Sequence, residues 1–144
     1  MTFDLMTHDI DLCTALMDGA PDEVIGYAGC VRSDTADMSY GRLRYGQSTV
    51  RLTASRIVKE TERWMKLTYA SGEVHIDFNK KTLTNSTAFA LDENFADKAI
   101  AKDSLGAATD NFVRAILDGV PVLVGPEDGQ IAVQTAERID QGRA

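Results

Sequence analysis

The sequence predicts an α+β protein with an open, mostly antiparallel sheet of about five or six strands. Helices are expected to cover one sheet face, and the other face is expected to serve dimerisation. Three observations support this prediction: a helical pattern at the start, alternating segments joined by short turns in the middle, and two helical patterns at the end. Strands joined by short turns pair antiparallel, and helices at both ends of a sequence can share one sheet face. The length of 144 residues suits a single domain over 1–144.

The first helix is predicted over residues 3 to 17. Its apolar side chains recur at helical spacing, with Leu5, Leu12 and Leu16 as the repeating positions. Gly19 follows where a left-handed C-cap is wanted. Phe3, Ile10, Cys13 and Met17 join these leucines, so we expect a helix with a wide apolar face.

The strand region alternates between apolar and polar side chains and carries two hairpin signals. Gly46-Gln47 and Ser71-Gly72 each lie between two alternating runs, as tight-turn residues do. On the strand after the second turn, His75 is expected to face the same side as its neighbouring acids. The predicted strand segments are 22–32, 39–57, 63–78 and 79–85.

Two more helices are predicted near the end, after an irregular segment over 88–102. Asp103 or Ser104 caps a helix that reaches about Asp118, and Gly119 ends it. Its predicted apolar stripe is Leu105, Ala108, Phe112, Ala115 and Ile116. The last helix, about 127 to 141, begins after the favourable cap sequence GPEDG and is expected to bury Ile131, Ala132, Ala136 and Ile139.

Composition narrows the possible functions. The net charge is −7 and the pI is about 4.7, without a basic stripe, so nucleic-acid binding is not expected. No apolar run reaches the ~20 residues of a membrane span, and no signal peptide is recognisable. Cys13 and Cys30 suit two buried free thiols. We therefore expect a cytoplasmic protein.

The opening helix brings a possible catalytic pair together. Asp4 and His8 are four residues apart, so a helix places both on one face, and Asp11 can share that face. A carboxylate beside a histidine suits a general base. An ordinary polar ridge on a surface helix is the competing interpretation. A metal site is not expected, although a hydrolase that uses His8 and Asp9 as a metal-binding doublet is a third hypothesis.

Four segments resemble one oxidoreductase family in order and spacing. DLMTHDIDL at 4–12 resembles the D-x-x-x-H-x-x-D-L segment of the glucose–fructose oxidoreductase/inositol dehydrogenase (Gfo/Idh/MocA) family. LTASRI at 52–57 and VHIDFNKKTL at 74–83 are similar to strands of its second domain. NFVRAILDGVPVLVGPEDGQIAVQTAERI at 111–139 resembles its closing signature.

The resemblance implies the C-terminal half of a two-domain enzyme. The family's N-terminal Rossmann domain holds NAD or NADP, and these 144 residues contain no G-x-G-x-x-G and no Lys-Pro segment matching the family's lysine. His8 matches the catalytic histidine that takes the hydroxyl proton while hydride leaves for nicotinamide C4. Asp4 matches the acid that binds or orients the substrate, and Asp11 has a structural role.

Two functional hypotheses follow from the resemblance. The chain is the substrate and dimerisation domain, expected to be a fragment, of an NAD(P)-dependent dehydrogenase of a sugar, sugar nucleotide or polyol. The alternative is a stand-alone, non-catalytic, self-associating module that has lost the cofactor domain. In either case we expect a homodimer through the open sheet face, and no cofactor bound by this chain alone.

Overall fold

The computed structural model describes residues 1–142, which form six strands and four α-helices. The residues group into two compact units: one combines 1–59 with the described residues from 124 onward, and the other is 60–123. The single domain over 1–144 stays a prediction. The elements are the π-helical turn Thr2–Met6, α1 Thr7–Met17, β1 Glu23–Gly29, β2 Met38–Tyr45, β3 Ser48–Ser55, β4 Trp64–Tyr69, β5 Gly72–Asp77, β6 Thr82–Asn85, a 3-10 turn Phe95–Asp97, α2 Ala99–Lys102, α3 Ser104–Asp118 and α4 Pro126–Asp140.

The α+β class and the antiparallel pairing are confirmed, but the six strands form two sheets instead of one. The order is β1-β2-β3 in the first sheet and β4-β5-β6 in the second. Residues 56–63 lie between β3 and β4 and form no strand. Alternation along a sequence identifies strands, but it does not say which strands share hydrogen bonds, so the break was not predicted.

The first sheet has one covered face and one open face. Ala28, Leu43, Leu52 and Ala54 are buried on the covered face, where the π-helical turn, α1 and α4 pack. The predicted hairpin is confirmed because Tyr45 pairs with Ser48 across a two-residue turn. Gly46 in that turn has a φ of 58°, which glycine adopts without steric cost.

A helix exists in the predicted segment, as α1 after the π-helical turn, and it buries only part of the wide apolar face predicted for it. Met6, Ile10 and Cys13 are buried, whereas the side chains of Leu5 and Leu16 are 46% and 48% exposed. Both sets recur at helical spacing, because this segment is apolar on more than one side. Packing against the sheet and α4 selects the face, and local periodicity cannot distinguish the two.

Helix α4 is the closest neighbour of the first sheet. Its predicted inward residues Ala132, Ala136 and Ile139 are buried. A Cβ placed on Gly26 of β1 would lie 2.3 Å from Ile139 Cα, so the helix backbone rests directly on the strand. The Gly125 amide donates to Asp128 Oδ2 at 2.8 Å, and this bond supports the predicted cap at the start of the helix.

The second sheet carries a second hairpin with its turn one residue earlier than predicted. Tyr69 pairs with Gly72, so Ala70-Ser71 are the turn residues. Its apolar face is centred on the buried Val74, and Phe89 packs edge-on against Tyr69 with ring centroids 4.9 Å apart. The final short strand, β6, pairs with β5 as expected from the sequence.

Helix α3 has the predicted boundaries. Asp103 Oδ1 accepts a hydrogen bond from the Gly106 amide at 2.8 Å, and Gly119 ends the helix in the left-handed conformation. Its predicted apolar stripe contains no buried residue; Phe112 is 60% exposed. Among residues 1–142, no helix combines the length and apolar character needed to cross a bilayer.

Candidate functional site

The candidate pair occupies the solvent side of the first helical segment. Asp4 lies in the π-helical turn, His8 lies in the first turn of α1, and both are exposed. None of the hydrogen bonds or ion pairs within residues 1–142 joins the two side chains. π-Helical turns are rare and occur frequently at functional sites. This segment therefore exposes an imidazole and a carboxylate to solvent.

Buried contacts hold this segment in place from its other side. Thr2 shares a 2.7 Å hydrogen bond with Ser39 of β2 and donates a 3.2 Å bond to Asp140 of α4. The Thr7 hydroxyl donates to the Phe3 carbonyl at 2.7 Å, within the turn itself. These bonds, with the buried Met6 and Ile10, fix the direction in which Asp4 and His8 point.

The other histidine lies in the second unit. His75 is on β5, half-buried, and stacks on Trp64. Within residues 1–142, no three histidine, cysteine, aspartate or glutamate side chains converge as a metal site would require. Asp9, the partner in the hydrolase hypothesis, is half-buried on α1.

Asp37 forms a polar cluster that the sequence analysis missed. Its carboxylate accepts backbone N–H bonds from Val31, Arg32 and Ser33 at 2.8, 2.5 and 3.0 Å, and a 2.7 Å bond from Arg56 Nε. The Arg32 amide, then the Arg56 guanidinium, hold the pKa of this carboxyl well below its ordinary range. Asp37 is 2% exposed, so the cluster fixes the connection between β1 and β2. No periodic pattern in the sequence identifies the residues that bind the Asp37 carboxylate.

The two thiols have different environments. Cys13 is buried as predicted, and burial, then the nearby charge of Asp9, raise its pKa to about 11. Cys30 is exposed, so the prediction that it is buried was wrong. It follows the last residue of β1, where the chain leaves the sheet for the loop that Asp37 organises.

Comparison with known proteins gives a relative with a known reaction. The chain is 28% identical over 144 residues to UDP-N-acetylglucosamine 3-dehydrogenase of Acidithiobacillus ferrooxidans, a match that covers 94% of this chain and 46% of that protein. A solved structure of the same dehydrogenase, GnnA, superimposes with a TM-score of 0.83 at 27% identity, covering 99% of this chain and 46% of that one. No family model matches the chain.

The match falls on the C-terminal half of the dehydrogenase. The chain has the C-terminal-domain fold of the Gfo/Idh/MocA oxidoreductases. Two more distant solved structures, both described as oxidoreductases, share the fold of this chain. One, from Bacteroides fragilis, has a TM-score of 0.60 at 14% identity and covers 98% of this chain and 50% of that one. The other, yvaA from Bacillus subtilis, has a TM-score of 0.58 at 16% identity and covers 97% of this chain and 50% of that one.

The predicted Gfo/Idh/MocA resemblance is therefore confirmed, and the chain spans about half the length of the relatives it matches. The roles of Asp4 and His8 stay predictions, because the comparisons concern the fold and not individual residues. The structure adds that both side chains are accessible and that their helix is firmly supported.

Proposed function

We propose that this chain supplies the substrate-binding half of an NAD(P)-dependent oxidoreductase that acts on a hydroxyl group of a sugar nucleotide. The observation that carries the proposal is the match to the UDP-N-acetylglucosamine 3-dehydrogenase along nearly the whole chain. The exposed Asp4 and His8 support it, because a substrate-binding half must offer an accessible base.

In this proposal His8 and Asp4 have different roles. His8 accepts the proton of the reacting hydroxyl, as an imidazole can near neutral pH. Asp4, one helical turn earlier, accepts a hydrogen bond from a substrate hydroxyl and orients the ring toward His8. The buried side of the helix keeps both groups in register, because Thr2 and Met6 are fixed in the interior.

In our proposal these residues do not hold the nicotinamide nucleotide themselves. Dinucleotides bind at the carboxyl ends of parallel strands, beside a glycine-rich turn that opens a helix. Both sheets within residues 1–142 are antiparallel, and the sequence has no G-x-G-x-x-G. In our proposal a Rossmann domain outside these residues holds NAD or NADP, and the step that transfers the hydride belongs to that domain.

Histidine NMR tests the proposal directly, because the chain has only two histidines. UDP-N-acetylglucosamine added to the purified chain should shift the imidazole signals of His8, which the His8→Gln spectrum assigns. Asp4→Asn should weaken this response, whereas Asp34→Asn, a matched change on an exposed loop of the same unit, should leave it intact. Unchanged His8 signals at saturating sugar nucleotide would refute substrate binding at this helix.

The catalytic role needs the cofactor half as well. The chain can be fused behind the Rossmann half of the A. ferrooxidans dehydrogenase, and the fusion assayed for reduction of NAD or NADP with UDP-N-acetylglucosamine. Replacing His8 with Ala should lower the rate by about 10²–10⁴-fold, the usual contribution of a positioned base. A fusion whose rate is unaffected by this substitution would remove His8 from the mechanism.

We also propose a homodimer formed through the open face of the first sheet. Ile25, Tyr27, Met38 and Tyr40 form an exposed apolar group on that face, beside Arg42. Aromatic, methionine and arginine side chains are enriched in such interfaces. Sedimentation should give a dimer at micromolar concentration, and Tyr40→Glu should shift it to monomer; a wild-type monomer contradicts the proposal.

The two free thiols suit the reducing cytoplasm, which we propose as the location of the protein.

A further inference from the structure

The second sheet has a polar face that the proposed function does not use. The cross-strand register places Trp64 beside Asp77 and Lys66 beside His75 on this face. Lys66 Nζ lies 3.0 Å from Glu73 Oε1, and Lys80 Nζ lies 3.3 Å from Asp77 Oδ2. The apolar residues of the same strands point to the opposite face, so this face carries Trp64 together with the charged and polar side chains.

A stacked ring pair is the main feature of this face. The rings of Trp64 and His75 are nearly parallel, at 23°, with centroids 5.9 Å apart. Trp64 is nevertheless 57% exposed. His75 therefore supports the indole from one side and restricts its motion, while much of the indole surface stays open to solvent. An exposed large aromatic ring held in this way is a ready platform for another flat or ring-shaped molecule.

The platform borders a groove of about 390 Å³, which is within the size range of small-molecule sites. His75 also lines a second hollow of about 210 Å³. The charged side chains that line the larger groove are Glu60, Glu62, Arg63, Asp77 and Lys80. The charges of these three acidic and two basic side chains nearly cancel, and Asp77 already forms an ion pair with Lys80. The groove therefore has many hydrogen-bonding groups but little net charge.

We propose that this groove binds a neutral sugar ring, stacked on Trp64. The C–H groups of a pyranose carry slight positive charge and suit the negative face of an indole. Its hydroxyl groups can donate to the carboxylates of Glu62 and Asp77 and accept from Arg63. This second carbohydrate site depends on β4 and β5 and is independent of Asp4 and His8.

Two other ligand classes fit the groove less well. A phosphate or carboxylate would face three acids against two bases, without a helix N-terminus to stabilise it. An organic cation could stack on Trp64, but it would meet Arg63 and Lys80 as well as the acids. A neutral ring avoids both repulsions and uses donors and acceptors together.

Trp64 makes the proposal easy to test, because it is the only tryptophan of the chain. Methyl β-D-glucopyranoside, which carries no nucleotide, should change the tryptophan emission saturably at millimolar concentration. Inorganic phosphate and tetramethylammonium chloride at equal ionic strength should not. No saturable response to the sugar, or a stronger response to phosphate or to the cation, would overturn the proposal.

Substitutions locate the binding. His75→Ala, which removes the supporting ring, and Asp77→Asn should each weaken the sugar response by about two- to tenfold. Glu93→Gln, a change at an exposed acid of the same unit outside the groove, should have no effect. Equal affinity in all three variants would rule this groove out. Circular dichroism checks that each variant is folded.

A second readout separates this site from the proposed substrate site. Saturation-transfer NMR follows the sugar protons without needing tryptophan, so Trp64→Ala should abolish the signal and Trp64→Phe should restore part of it. His8→Gln should leave the glucopyranoside signal unchanged. Loss of binding in His8→Gln with retention in Trp64→Ala would place the sugar at the first helix and refute the groove. The groove can thus fail while the substrate site stands, and the reverse also holds.

Discussion

Replacing Gly26 with alanine tests the close approach of strand β1 and helix α4 in the first unit. The added Cβ would lie 2.3 Å from Ile139 Cα and 2.6 Å from its carbonyl oxygen. Carbon atoms in contact prefer about 3.5–4.0 Å, so the two backbones must separate by about 1.2 Å or more. The obstacle is helix backbone, which cannot rotate away as a flexible side chain could.

The separation has a cost that can be estimated. Ile139 and Ala136 are fully buried, and moving α4 away loosens their packing on the sheet. Overpacking typically costs 1–3 kcal/mol, and a clash with main chain belongs at the upper end, so we expect Gly26→Ala to lower the free energy of unfolding by about 3 kcal/mol. Because Thr2 donates a hydrogen bond to Asp140 of α4, the support of the helical segment that carries Asp4 and His8 should loosen as well.

Gly129→Ala in α4 is the matched control. Nothing lies within 4 Å of the Cβ it would add, and the residue is inside a helix. Alanine there should stabilise the protein by about 0.5–1 kcal/mol, because glycine loses more backbone freedom on folding. Urea unfolding followed by far-UV circular dichroism should therefore move in opposite directions for the two variants. A Gly26→Ala midpoint equal to or above that of the wild type would refute the direct contact between β1 and α4.

Two further predictions concern ionisation. The depressed pKa of Asp37 means that its charge stabilises the fold at neutral pH, and that this stabilisation is lost as the pH falls below about 3.8, the pKa in the unfolded chain. Asp37→Asn should therefore unfold more readily at pH 7 and lose less of its stability in acid than the wild type does. An unchanged dependence of stability on acid pH would contradict this. Cys13, with its pKa raised to about 11, should resist iodoacetamide in the native state, while the exposed Cys30 reacts. The stability of the fold should decrease as the pH rises from about 9 toward 11, because the thiol ionises at a lower pH in the unfolded chain than in the folded one. Mass spectrometry distinguishes one modified thiol from two, and equal labelling of both would show that Cys13 is accessible.

The features that the sequence predicted well depend on neighbours along the chain. The Gly46-Gln47 turn and the Asp103 cap follow from the conformational preferences of a few adjacent residues. The Asp4–His8 pairing was inferred in the same way, because a helix determines which residues share a side, and its role stays a prediction. Such features can be derived without knowing what the rest of the chain does.

The features that the sequence did not predict depend on distant partners. Which face of α1 is buried is decided by α4, more than 100 residues later, and the division into two sheets is decided by strand partners. Asp37 meets Arg56 from 19 residues away, and its three amide bonds depend on the loop between β1 and β2. The stack of Trp64 on His75 likewise requires the register of β4 against β5. A single sequence contains no periodic sign of these contacts.

The division of the first helical segment into a buried side and an exposed side leads to a last prediction. Ile10 is fully buried, whereas His8, two residues earlier, is exposed. Ile10→Ala should cost about 2–5 kcal/mol of stability, because it leaves a cavity against the sheet. His8→Ala should change stability by no more than about 0.5 kcal/mol, since alanine is the better helix former and no packing is lost. Thermal unfolding of both variants gives the comparison. A His8→Ala protein that loses as much melting temperature as Ile10→Ala would show that the imidazole is a structural group, and the proposal that it serves as a base would then fail.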